Sequence, residues 1–186
     1  MKTLIIVAHP DLQNSRINRA LADTMREQPD TTVHVLDEFY QGKSIDVSHE
    51  QGLLERHDRI IFQYPLYWYS TPPLLKQWFD EVLAYGWAFG PGGEHLQGKE
   101  IGIAISTAGT AASYQPGGYN LFTIRDIAKP MEALANYVGA HYLPPFAIHN
   151  ANHITDEQIA ISQAAYVDHL RSVRHVQTSG LVTINK

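Results

Sequence analysis

The chain has 186 residues, a formal charge of -5, 44% apolar content and 18% charged content. That length fits one domain with a sizeable core, and a mildly acidic balance with scattered Lys and Arg leaves no footprint for nucleic acid. No run approaches about 18 consecutive apolar residues, so no membrane-spanning helix is expected; the apolar start is too short for a signal peptide, and the absence of Cys excludes disulfides and thiol catalysis and suits a cytoplasmic protein.

In chain order, the run TLIIVA predicts a first strand over residues 4–8, followed by HPDLQNSRINRALADTMRE. Ser15 is spaced as an N-cap, with Ile17, Ala20, Leu21, Thr24 and Met25 on one helical face behind it. A second strand is expected over 32–36, a weakly patterned helix around 48–56 and a third strand over 59–63. Thr71-Pro72-Pro73 opens the clearest helix, because Pro fits a first turn where no amide donor is needed. Its stripe is Leu74, Leu75, Trp78, Phe79, Val82 and Leu83, with Gly86 as the stop. A fourth strand is expected over 101–106, then a helix from Pro130 to Gly139. A fifth strand over 141–148 is interrupted by Pro144-Pro145, and Thr155 with Gln158 has capping-box spacing at the start of a last helix. Residues 175–186 form a tail of unassigned role beyond a single domain over 1–174.

Strands that do not alternate, separated by helices, require a parallel sheet covered on both faces. The expected architecture is a three-layer α/β domain whose five-stranded parallel sheet has the order 2-1-3-4-5. Such sheets bind ligands at the C-terminal strand ends where the order reverses, here between strands 1 and 3 and beside strand 4.

Three loops of unusual composition meet there. In the first, His9 and the turn Ser15-Arg16-Ile17-Asn18 offer a helix N-terminus and polar donors to an anion, or serve as plain caps of a strand and a helix. Neither a dinucleotide G-x-G-x-x-G nor a P-loop is present. The second, QYPLYWYSTPP, carries Tyr67, Trp68 and Tyr69, which suit the flat face of a conjugated ring and equally suit packing plugs. The third, STAGTAASYQPGGYN, is long and rich in small residues, so its backbone amides can approach a ligand closely. A phosphorylated planar ring such as FMN satisfies all three.

At these residues the chain resembles the flavodoxin-like NAD(P)H:quinone oxidoreductases, a family that includes DT-diaphorase, the modulators of drug activity and the ancillary flavoproteins of glutathione-gated potassium efflux. The motifs are LIIVAHP (4–10), SRIN (15–18), PLYWYSTPPLLKQW (65–78), YGWAFG (85–90), STAG (106–109) and LPPFAIH (143–149). The resemblance implies a flavodoxin-like fold. It implies that His9, Ser15, Ile17 and Asn18 hold a flavin phosphate; Arg16, by its place among them, either reaches that phosphate or is a plain exposed arginine. Pro65, Leu66, Tyr67, Trp68 and Tyr69 border the isoalloxazine ring, and Ser106, Thr107, Ala108 and Gly109 aim amides at its pyrimidine edge. Tyr114 falls at a tyrosine close to the substrate. The family's T-T-G-G is S-T-A-G here, and its substrate-site histidine falls on Tyr119 or Asn120, so Tyr119 is expected to hydrogen-bond the acceptor in its place.

The implied activity is two-electron transfer from NAD(P)H to a quinone-like acceptor by a ping-pong hydride mechanism, with FMN favoured over FAD by the short chain. A homodimer is implied as well. The resemblance also leaves open a regulatory role beside a membrane potassium transporter. An electron carrier of the flavodoxin type is less favoured, since the chain lacks strong acidity and a hydroxyl-rich phosphate loop. His149 and His153 are four apart, but the polar loop between them reads as solvated, and no metal is expected.

Overall fold

The computed structural model describes residues 1–173, and the tail expected over 175–186 lies outside the described residues. Strands β1 (Thr3–Val7), β2 (Thr31–Val35), β3 (Arg59–Pro65), β4 (Glu100–Ser106) and β5 (His141–Tyr142) pair in the expected order β2-β1-β3-β4-β5, all parallel. The fifth strand breaks at its prolines. Pro144 and Pro145 have no amide to donate, so the ladder stops and resumes as β6 (Phe146–Ile148), which pairs with Ala104, Ile105 and Ser106 further along β4.

The connecting helices are α1 (Arg16–Arg26), α2 (Leu36–Tyr40), α3 (Val47–Glu55), α4 (Pro73–Val82), α5 (Ile124–Ile127), α6 (Lys129–Tyr137) and α7 (Asp156–Ser172). The strands feed two cores. Leu4, Ile6, Ile60 and Phe62 enter one, under α2 to α6; Ile5, Val7 and Ile61 enter the other, under α1 and α7. In α4 the stripe Leu75, Trp78, Phe79 and Val82 is buried, each side chain contributing about 1.5–3 kcal/mol. Thr155 and Gln158 cap α7 reciprocally, at 2.9 and 3.2 Å.

Two helices have no counterpart in the sequence reading. The second strand was expected to reach residue 36, but it ends at Val35 and Leu36 opens α2, with Asp37 and Glu38 in the first turn, where the helix dipole favours acidic residues. The helices α2 and α5 have five and four residues, too few for a period of 3.6 to show.

Candidate functional site

All three expected loops leave the C-terminal edge of the sheet, and hydrogen bonds join them. After β1 the chain turns at His9, whose amide donates to the Asp37 carboxylate at 2.8 Å. The Asp11 amide donates to His9 Nδ1 at 3.1 Å, which leaves the ring proton on Nε2 as a donor. Burial, partly opposed by Asp37 and Asp11, lowers the pKa of His9, so the ring is neutral at pH 7. Ser15 Oγ accepts from the Asn18 amide at 3.2 Å. The preceding amides, of Arg16 and Ile17, have no acceptor among the described residues, and they sit at the positive end of the α1 dipole.

Not every expected side chain reaches this turn. Ile17 points into the core. Arg16 is drawn away to α7, where it donates to Ile154 O at 3.0 Å and to Asp156 at 2.6 Å. Both residues therefore present only their backbone.

Asn18 links the first loop to the third, donating from Nδ2 to Ser106 Oγ at 3.0 Å. Gln63 Nε2 donates to Asn18 O at 2.8 Å. Both side chains are buried, and neither Asn18 Oδ1 nor Gln63 Oε1 has a donor. Each such orphaned acceptor costs about 1–3 kcal/mol until something donates to it.

The second loop is strained. Pro65 ends β3 opposite Ser106, and the Leu66 amide donates to Ser106 O at 2.9 Å. Tyr67 and Ser70 then exchange backbone bonds of 3.1 and 2.9 Å around Trp68 and Tyr69. Both central residues are left-handed, with φ of 49° and 62°. Two such residues in a row make a type I′ turn, ordinarily built from Asn and Gly, and for aromatics each costs about 1–3 kcal/mol. The turn holds Trp68 93% exposed and Tyr69 51% exposed. Tyr69 Oη donates across to Asn120 Oδ1 at 3.0 Å, closing the second loop onto the third.

In the third loop Ser106 and Thr107 are buried. The Thr107 amide, expected to face a ligand, is instead spent on Ile148 O at 2.8 Å; those of Ala108 and Gly109 have no acceptor among the described residues. A side chain on Gly109 would stand 3.1 Å from Tyr114 and 3.4 Å from Asn120, so its absence lets both close on the turn. Tyr119 is 90% exposed on the outside of the loop, and Asn120 is the one of the pair that reaches back.

The site contains a histidine that the sequence reading set aside as solvated. His149 directly follows β6, half-buried, with its ring 5.4 Å from that of Tyr114. Thr107 Oγ1 donates to Gly109 O at 3.0 Å and lies 3.0 Å from His149 Nδ1. With its one proton on Gly109, Thr107 accepts from Nδ1, and in the neutral ring Nε2 is left bare. Burial lowers the His149 pKa as well. The signal was there to find: like His9, this residue comes immediately after a parallel strand at the ligand edge. Asp37 and Gln63 are further polar residues of the site missed from sequence.

A strand-order reversal, an open helix N-terminus and an aromatic turn at one sheet edge define a nucleotide-type site on a doubly wound α/β domain. A model of the flavodoxin-like fold matches residues 1–170. An NAD(P)H oxidoreductase of Bacillus subtilis, YdeQ, itself uncharacterized, is 53% identical over 93% of this chain and 88% of its own. The glutathione-regulated potassium-efflux ancillary protein KefG of Cronobacter sakazakii is 42% identical over 89% of this chain and 90% of its own. Among solved structures, general stress protein 14 of Treponema denticola in complex with FMN superposes with a TM-score of 0.84 at 40% identity, covering 92% of this chain and 97% of that one. An NADPH-quinone reductase from P. pentosaceus gives 0.81 at 38% identity over 89% and 95%. The chain belongs to the flavodoxin-like NAD(P)H oxidoreductase family.

Proposed function

We propose that this protein binds FMN at the joined loops and transfers two electrons from NAD(P)H to a quinone-like acceptor in a ping-pong cycle. The observation that carries the reading is the strained Trp68–Tyr69 turn at the same sheet edge as the open N-terminus of α1, since strain held at an exposed turn costs stability that packing does not return. A ribityl phosphate fits the residues present: the Arg16 and Ile17 amides and His9 Nε2 would hold its phosphate at the open N-terminus of α1. Bound FMN supplies the hydride chemistry.

The chain's own residues orient, shield and donate. Leu66, Tyr67, Trp68 and Tyr69 border the ring, and the free amides of Ala108 and Gly109 stabilise negative charge at its edge. Tyr114, held against Gly109, donates to the acceptor oxygen as it gains charge. Tyr119 joins it only if its exposed loop closes over a bound acceptor. The large exposed aromatics Trp68 and Phe122 favour a homodimer that covers this edge. Zero Cys goes with a cytoplasmic location. Among the described residues no helix is long and apolar enough to cross a membrane.

The purified protein is expected to be yellow and to release FMN identifiable by mass. With NADPH and menadione its double-reciprocal lines are expected to be parallel; intersecting lines, or a colourless protein that FMN does not reconstitute, defeat the reading. The likeness to KefG favours a second role as ancillary subunit of a potassium-efflux transporter. Co-purification with the transporter's cytosolic domain supports that role, and its absence at micromolar concentrations removes it.

A further inference from the structure

The turn after β1 is pinned from two sides. The Ala8 amide donates to Gln63 O of β3 at 3.0 Å, and the next amide, of His9, donates to Asp37 Oδ2 at 2.8 Å. Asp37 lies beyond the end of β2, in the first turn of α2. The strand register places it there: Val7 and Val35 are partners at the ends of β1 and β2, so His9 and Asp37, each two residues further on, leave the sheet side by side.

The helix that delivers Asp37 is itself anchored. Leu36 and Tyr40 are buried, and Tyr40 Oη donates to the Glu50 carboxylate at 2.7 Å. A helix of five residues has few internal bonds, so these anchors fix where its first turn sits. A hydrogen bond from an amide to a carboxylate is stronger than one between neutral groups. It acts at some cost, since the Asp37 charge repels an incoming phosphate. What the bond holds is the turn: there His9 Nδ1 accepts from the Asp11 amide at 3.1 Å and the ring keeps its proton on Nε2 as a donor.

We propose that Asp37 is a positioning residue for phosphate binding: it touches no ligand, and through the His9 amide it fixes the turn that presents His9 Nε2 and the open α1 amides to an anion. The role rests on the proposed flavin site for its place in the cycle, whereas the His9–Asp37 bond and the open amides of Arg16 and Ile17 stand without it. A residue that acts on this turn alone bears on the phosphate end of a flavin and leaves the ring end as it was.

Riboflavin is FMN without its phosphate, so the pair separates the two ends. Asp37→Ala should weaken FMN about tenfold, the loss of one charge-assisted hydrogen bond, and change riboflavin affinity by less than about twofold, both read by quenching of flavin fluorescence. Asp37→Asn, which keeps an acceptor oxygen, should recover most of the FMN affinity. Asp37→Ser, whose oxygen stands one bond short, keeps a polar first turn for α2 and should behave as the alanine variant, so it carries the test if that variant does not fold. Equal losses for FMN and riboflavin, or FMN affinity unchanged without the carboxylate, overturn the role. In the flavin-free full chain, inorganic phosphate should shift the amide resonances of Arg16 and Ile17, and Asp37→Ala should weaken that response by a similar factor. If the parent takes neither flavin, the flavin reading falls and the phosphate titration alone judges Asp37; no response in the parent, or an unchanged one in the variant, then overturns it.

Discussion

Trp68 and Tyr69 stand in backbone conformations that glycine and asparagine adopt at little cost, and Trp68 buries almost nothing in return. Strain held at an exposed position points to a function that packing does not explain. Replacing the pair by Trp68→Asn and Tyr69→Gly should raise stability by about 1–3 kcal/mol and weaken FMN binding, read by urea denaturation and by quenching of FMN fluorescence. An unchanged urea midpoint would mean that the turn is not strained. Thr107 is the other informative residue, since its hydroxyl bonds Gly109 O and receives His149 Nδ1 at once. Thr107→Val removes both bonds and should cost about tenfold in FMN affinity, with Thr107→Ser recovering most of it. Equal affinities for the Val and Ser variants would exclude the hydroxyl.

Among the elements, α3 is the one whose sequence pattern is weakest, and a polar anchor holds it. Glu50, fully buried on α3, accepts from His34 Nε2 of β2 at 2.8 Å, from Tyr40 Oη of α2 at 2.7 Å and from Trp78 Nε1 of α4 at 2.8 Å. Burial raises a carboxylate's pKa, but hydrogen bonds from His34, Tyr40 and Trp78 and the charge of His34 outweigh it and hold Glu50 below 4.5. A depressed folded pKa contributes stability that is present above the unfolded value and lost as pH falls through the folded one. The urea midpoint should therefore fall on acidification below 4.5, and Glu50→Gln, which presents an amide to three donors, should cost about 3 kcal/mol at pH 7 and flatten that acid limb. A variant as stable as the parent at both pH values would show that the network carries no net stability. No helical periodicity reports such an anchor: a Glu in α3 looks like a solvated face until β2, α2 and α4 are packed around it.

At the scale of the whole molecule, the three loops act as one unit because Asn18 reaches Ser106, Leu66 reaches Ser106 and Tyr69 reaches Asn120. The same edge carries Phe122 at 60% and Trp68 at 93% exposure, large for side chains of their kind. If a second copy covers them, Phe122→Asp should shift sedimentation from dimer to monomer without loss of secondary structure. A parent protein that sediments as a monomer would remove the dimer from the reading.

The strand order, the α1 and α7 caps, the α4 stripe and the placing of three loops at one edge were legible in the sequence. They follow from local terms: β-branched runs, periodic apolar faces, capping residues and the direction that parallel crossovers impose. The aim of individual side chains was not. Arg16 turns to a carbonyl and a carboxylate 138 and 140 residues away, Thr107 spends its amide on β6, and His149 is brought under Tyr114 by a strand that two prolines had broken. Those outcomes depend on which distant groups remain unsatisfied once the layers are packed, and that balance exists only in the folded molecule. His9 shows both sides: its place after β1 was evident from sequence, whereas the tautomer that makes it a donor was decided by the Asp11 amide, in a turn that the packed layers hold.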